Sequence, residues 1–451
     1  MERIDRRNFL KQSLCTLAGL SLFPALRPGP ARADGDYKAL VFVFLFGGAD
    51  SFNMVVPKSD TPRYDRYAQI RGGMAIPRDQ LLDLSGSAYG FHPRMTRMQE
   101  LFNQGRLAVV GNVGVLNQPI GHQEIAAAGN GGQIDNLPDQ LRAHNTQTDL
   151  WMLAGNTHQG WAARTADLLD IGDLVNISLH DNLAQQGGRY KPLEVSDDIY
   201  EFLDFLDGDR PGSKTILGET FRRQLQQDSN HVNRLVRAFA RARQYDIDIH
   251  NRLAGIMQDP IQEFGRGVHE TGKSLGEQLE LVTRLIEART RGGFPGRQIF
   301  CVGHDSWDTH NEMIGTVPEA NNGAHKVDYL DKCVGQFFDV MQTLGIADQV
   351  TLCTGSEFGR TVTSNGRGTD HGWGGHAFVC GGAVRGGFFG TMPDVGQGSA
   401  DMLDNAIVPT TSVEQYLAGL VNWLGDGSLD LDAVFPNLSA FDSQIVDCMR
   451  T

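Results

Sequence analysis

Residues 38–53 read K-A-L-V-F-V-F-L-F-G-G-A-D-S-F-N. Past Lys38 the first eight positions are apolar without interruption and rich in β-branched and aromatic side chains. Alternation of apolar and polar residues would mark a strand with one wet face. An unbroken run predicts a strand covered on both faces, as in a parallel sheet flanked by helices. Two glycines end the run, which is all that a turn requires. Asp50, Ser51 and Asn53 follow at once and ask for a second reason. In open α/β sheets such a reason is a ligand, which binds beyond the carboxyl ends of the strands.

Similar runs recur at 106–114, 173–179, 297–303, 349–355 and 376–382. Amphipathic stretches stand between them, such as 327–345, with apolar residues three and four apart. Strand, helix and strand in repetition predict an α/β fold with a mostly parallel central sheet and helices on both faces. Between about 183 and 296 the text changes to long charged helical segments, 220–243 and 275–289, which predict a helical insertion in a single domain spanning 34–451. No G-x-G-x-x-G follows the first strand, which weighs against a dinucleotide-dependent oxidoreductase.

The first 33 residues have another character. Glu2 to Lys11 form a charged region containing Arg6-Arg7-Asn8-Phe9-Leu10-Lys11, an apolar run follows, and Ala31-Arg32-Ala33 closes it. That order predicts a twin-arginine signal peptide over 1–33, delivery of the chain by the twin-arginine translocase to the periplasm or beyond, and cleavage after Ala33. The apolar run is shorter than the roughly 20 residues that span a bilayer, so no permanent membrane anchor is expected. Of 40 basic and 54 acidic residues the leader holds six and two, leaving 34 against 52 and a formal charge of −18. Such acidity repels the phosphates of a nucleic acid. It also means that an anionic substrate needs a local positive charge, for which a metal ion is a compact source. The five cysteines beyond the leader are odd in number and lack metal-site spacing, so no disulfide framework is expected.

Three polar clusters fall at predicted strand ends: Asp50 to Asn53, His304 to Asn311, and Ser356 to His376. In the second, His304, Asp305, Asp308 and His310 lie within seven residues. Carboxylate with imidazole suits zinc, manganese or iron, whereas calcium and magnesium prefer oxygen alone. The blander reading makes Asp305 or Ser306 a helix cap with exposed histidines nearby. In the third cluster Glu357 and Arg360 could be a local ion pair, yet Asp370, His371 and His376 follow in glycine-rich sequence that lets backbone approach a ligand.

The leader, the stretch 44–57, F-H-P-R-M (91–95) with G-R-L-A-V-V-G-N-V-G (105–114), A-H-N-T-Q-T-D-L-W (143–151), W-D-T-H (307–310), S-E-F-G-R-T (356–361) and G-T-D-H-G-W-G-G-H (368–376) together resemble an exported bacterial family, domain of unknown function fifteen-oh-one. That family in turn resembles the alkaline phosphatase and sulfatase superfamily. The resemblance implies an alkaline-phosphatase-like fold holding one or two divalent metals at strand ends. Its pattern puts metal ligands at Asp50, at Asp308 and His310, at Glu357, and at His371 or His376, with Asp370 beside them. Two departures stand out. Phe358 follows Glu357 where relatives often show a histidine. Ala143-His144-Asn145 stands where relatives carry Ser-His, and alanine cannot attack anything. Ser51 or Thr146 would then replace the missing nucleophile, or water would serve, with His144 as general acid or base and Arg360 as a bidentate phosphate or sulfate clamp.

The expectation is an exported hydrolase of phosphate or sulfate esters, dependent on a divalent metal such as zinc, manganese or calcium. Its substrate would be an anionic small molecule or polymer. The alternative is an exported binding or assembly protein that keeps the fold without turnover.

Overall fold

The computed structural model describes residues 36–155, 158–180, 188–189, 193–194, 216–257, 274–290, 294–311, 323–443 and 445–450. The predicted leader at 1–33 lies outside the described residues. The chain divides into two compact units, one of Gly29–Glu194 with Ile261–Thr451 and one containing Val195–Pro260.

The larger unit is built on nine strands: β1 (Lys38–Leu45), β2 (Leu107–Gly114), β3 (Asn176–Ser178), β4 (Leu193–Glu194), β5 (Arg297–His304), β6 (Val350–Gly355), β7 (Gly375–Gly381), β8 (Gly387–Gly390) and β9 (Thr411–Ser412). Their order across the sheet is β8-β2-β7-β6-β1-β5-β3-β4, with β9 also beside β2. Only β7 runs against its neighbours. The mostly parallel α/β sheet expected from the apolar runs is therefore the sheet found. In β1, Ala39 to Leu45 are all buried.

The helices include α1 (Ser51–Met54), α2 (Thr61–Arg71), α3 (Thr96–Asn103), α4 (His144–Leu153), α5 (Trp161–Leu169), α6 (Ile216–Asp228), α7 (Arg234–Met257), α8 (Leu275–Glu287), α9 (Gly323–Thr343) and α10 (Val413–Leu424). Alternation along β1 splits its side chains between two faces. Leu40, Phe42 and Phe44 pack with Trp151 of α4, Trp161 of α5 and Tyr416 of α10. On the opposite face Phe378 of β7 meets the ring of Phe91, which meets Phe102 of α3, and α9 packs on α3 and α8. The helix α8 falls within the stretch expected as an insertion, yet it packs on β5 of the sheet unit. Ser274 starts it with a reciprocal capping box to Glu277. No helix among the described residues is long and apolar enough to cross a membrane.

The five cysteines, Cys301, Cys333, Cys353, Cys380 and Cys448, form no disulfide and are buried, where a thiol behaves as a small hydrophobe.

Candidate metal centre

Three parallel strands end in step. Leu45 stands opposite His304, and Phe44 opposite Gly355, so the loops after β1, β5 and β6 leave the sheet side by side. Because β7 is reversed, its leading segment with His371 returns to the same edge. Two glycines after β1 make room for these loops. Gly47 has a φ of +115°, and a Cβ on it would stand 2.1 Å from the backbone nitrogen of Asp308. A Cβ on Gly48 would meet the Phe358 ring at 2.6 Å. Gly47 also donates its N–H to Glu357 Oε1 at 2.7 Å and accepts from Arg360 at 3.0 Å. Arg360 and His371 lie side by side in an antiparallel bridge.

Three imidazoles converge there. His144 Nε2 is 3.1 Å from His371 Nε2, and His310 Nε2 is 3.0 Å from the same atom. Each ring has its other nitrogen engaged. Nδ1 of His371 lies 2.8 Å from the Arg142 carbonyl, which can only accept, so Nδ1 carries the proton and Nε2 presents a lone pair. Nδ1 of His144 is 2.7 Å from Glu357 Oε1, and Nδ1 of His310 is 3.1 Å from Asp370 Oδ1. Asp308 completes the group, its Oδ1 3.0 Å from His310 Nε2 and 3.2 Å from His371 Nε2, its Oδ2 3.6 Å from His144 Nε2.

Imidazole nitrogens 3 Å apart are held together either by a shared proton or by a cation lying among them. Imidazoles held from behind by a carboxylate or carbonyl are the usual ligands of a bound metal. Two donors each about 2.1 Å from one tetrahedral ion stand about 3.4 Å apart. Ligand atoms of His144, Asp308 and His371 all lie within 4.8 Å of one another. The residues present fit a divalent cation.

The electrostatics follow from the partners. The hydrogen bond to Glu357 raises the His144 pKa in spite of burial, whereas burial lowers that of His371. Burial would raise the Asp308 carboxyl, but the hydrogen bond from Arg360 and its charge hold it below the usual range. Arg360 is wholly buried and donates to Asp308 Oδ1 at 2.8 Å, to Thr369 Oγ1 at 3.1 Å, to the Thr369 carbonyl and to Gly47. Phe358 is the floor, its ring stacked on His371 with centroids 4.6 Å apart and tilted under His144 at 4.9 Å.

His144, Asp308, His310, Glu357, Arg360, Asp370 and His371 are thus brought together, with Glu357 and Asp370 behind the rings. Four other expected residues are placed differently. Both carboxylate oxygens of Asp50 are taken by the buried Arg71 of α2, at 2.7 and 3.1 Å. Nδ1 of His376 accepts from the Asn112 amide at 3.2 Å, its ring lies edge-on to Phe52, and burial pushes its pKa down to about 3. Ser51 Oγ accepts from the His376 N–H at 2.7 Å. With His376 it lines a small neighbouring cleft. Thr146 gives its hydroxyl to Gln140 at 2.8 Å. Nor do His304 and Asp305 join the cluster: His304 accepts from Trp307 Nε1, and Asp305 pairs with His180. Sequence reasoning missed Thr369, the Arg142 carbonyl and Arg71. Thr369 acts through its hydroxyl and its carbonyl, and Arg142 through a backbone oxygen that no residue type announces.

Among solved structures the chain is similar to a protein of the alkaline phosphatase superfamily from Vibrio parahaemolyticus, at 10% identity and a TM-score of 0.34, covering 89% of this chain and 74% of that one. It is also similar to the PsFucS1 sulfatase from Pseudoalteromonas sp., at 11% identity and a TM-score of 0.36, covering 92% and 74%. A search of curated proteins returned no match. A family model described as "Protein of unknown function (DUF1501)" matches residues 37–415, and the chain belongs to that family.

Proposed function

We propose that His144, Asp308 and His371 hold one divalent cation in an exported hydrolase of phosphate or sulfate esters. The observation that carries this reading is the convergence of imidazole Nε2 atoms on Asp308, each ring fixed from behind. The nitrogen-rich donor set favours zinc or manganese over calcium. A cation there supplies Lewis acidity and the positive charge that an anionic ester needs in a chain of formal charge −14.

The chain's own groups divide the remaining work. Glu357 and the Arg142 carbonyl fix the faces of His144 and His371. Arg360 orients Asp308, and with its donors engaged by Gly47, Thr369 and Asp308 it positions a ligand instead of clamping substrate. Ser51 and Thr146 give or receive hydrogen bonds elsewhere, so water is the nucleophile. His310, partly exposed and oriented by Asp370, is placed to take its proton. The R-R-N-F-L-K leader sends the chain through the twin-arginine translocase to the periplasm.

A non-catalytic binding protein is the second reading, and Ala143 at the start of α4, where relatives carry a nucleophile, is what favours it. One experiment separates the two. Metal content is measured by plasma mass spectrometry on protein purified without chelators, alongside hydrolysis of chromogenic phosphate and sulfate esters, for the wild type and Asp308→Asn. Asparagine keeps an acceptor for Arg360 and removes the ligand charge. About one equivalent of metal per chain, with hydrolysis, both lost in Asp308→Asn, is the expected result. Metal without hydrolysis selects the non-catalytic reading. Folded protein that neither contains nor takes up metal overturns both the site and the activity.

A further inference from the structure

The smaller unit carries a feature that hydrolysis does not use. Its described part is the helix pair α6 and α7. The two helices pack through Phe221, Leu225, Ala240 and Ile247, which form a small core of their own. The charge of this pair opposes that of the chain. Over α6 and α7 stand seven arginines, at 222, 223, 234, 237, 241, 243 and 252, against four acids, Glu219, Asp228, Asp246 and Asp248, whereas the whole chain has a formal charge of −14.

The connection between the helices is apolar at its tip. Val232 is 91% exposed and Leu235 61% exposed, the two most exposed large hydrophobic residues among those described. Arg237 donates to the His231 carbonyl at 2.7 Å, bonding back into the connection beside Val232. Arg234 at the start of α7 is exposed, as are Arg223 on α6 and Arg241 on α7, and none is paired with a carboxylate among the described residues.

We infer that this helical hairpin docks on a membrane surface rich in anionic phospholipid, with Val232 and Leu235 entering the headgroup layer and the exposed arginines meeting lipid phosphates. Charge complementarity selects an anionic partner, and the apolar tip selects among anionic partners. A soluble polyanion is gripped by arginines alone and leaves a 91% exposed valine in water. A lipid interface accepts both, because apolar side chains sink to the acyl boundary while guanidinium groups stay at the phosphates. The chain is held peripherally and reversibly, which agrees with the absence of a spanning helix among the described residues.

The test is co-sedimentation with phosphatidylglycerol vesicles and with phosphatidylcholine vesicles. It uses the full chain and the chain beginning at Asp34, the latter to remove the apolar run of the leader as a source of binding. Two paired variants are compared, Val232→Asp with Leu235→Asp, and Arg234→Glu with Arg241→Glu, each checked for native circular dichroism. The chain beginning at Asp34 is expected to bind phosphatidylglycerol at low salt and to ignore phosphatidylcholine. Each paired variant is expected to bind at least about tenfold more weakly. Binding that survives both variants, or no binding by the wild type, overturns the inference. Loss in the arginine variant with no change in the Val232 and Leu235 variant also overturns it, in favour of a soluble polyanion.

Discussion

Asp50 and Asp308 stand in equivalent places, each a few residues past the carboxyl end of one of two adjacent parallel strands, and have opposite surroundings. Asp50 is 6% exposed and saturated by both terminal nitrogens of the buried Arg71. The Asp308 side chain is 43% exposed, accepts from Arg360, and otherwise faces the Nε2 atoms of His310 and His371. The first carboxylate has its cation built in, so it is an internal ion pair. The second lies among imidazole nitrogens, a donor set that fits a cation from outside. What separates an internal ion pair from a candidate ligand here is the partner that reaches the carboxylate first.

The sharpest way to break this contrast is Asp50→Ala. It strands a buried guanidinium, so denaturant unfolding should show a loss of about 3–5 kcal/mol while metal content per folded chain is unchanged. That is the inverse of the outcome expected of Asp308→Asn. Loss of metal without loss of stability would make Asp50 a ligand and end the comparison.

Acid provides the next test, because it distinguishes buried neutral histidines from those of the cluster. Burial pushes His92 down to about 4 and His376 to about 3. The unfolded chain binds a proton at each near pH 6.5, and the folded chain does so only at those lower values. Their contribution to stability is therefore complete above pH 6.5 and is lost as pH falls. For His92 the loss reaches about 3 kcal/mol by pH 4. Urea unfolding midpoints measured between pH 7.5 and 4.5 should decline accordingly, and the decline should shrink in His92→Gln.

Glu357→Gln has a smaller effect. It can still accept from the Gly47 N–H but no longer presents a charge to His144 Nδ1. Metal affinity measured by competition with a chelating dye should fall about 10–100-fold, the usual cost of removing an outer partner of a ligand. Thr146→Ala is the null end of the series. Its hydroxyl bonds only Gln140, so stability should change by less than about 0.5 kcal/mol and metal content not at all.

Much of this molecule is legible in the sequence. The apolar run at 38–46 reads as a doubly covered strand because burial of both faces removes the polar alternation that water imposes. The cluster residues 308, 310, 357, 370 and 371 read as candidates because acids and histidines past strand ends lie where ligands bind. His144 and Arg360 entered through the motifs around them. The equal weight given to Asp50 and His376 is where the reading departs from the structure. Nothing near Asp50 in the chain says that Arg71, at the far end of α2, folds back onto it. Nothing near His376 says that the Asn112 amide of another strand will take its nitrogen.

Residue types, glycines at tight approaches and apolar periodicity are local properties, and the sequence by itself determined the sheet, the edge at which the polar clusters gather and the acids and histidines found there. The tertiary structure alone decided which of them face one another. The reversal of β7, the step-matched ends of β1, β5 and β6, and the return of α2 bring together groups separated by 21 to more than 300 positions. The worth of a carboxylate or an imidazole is set by the partner at 3 Å, and neighbourhood in the chain does not fix that partner.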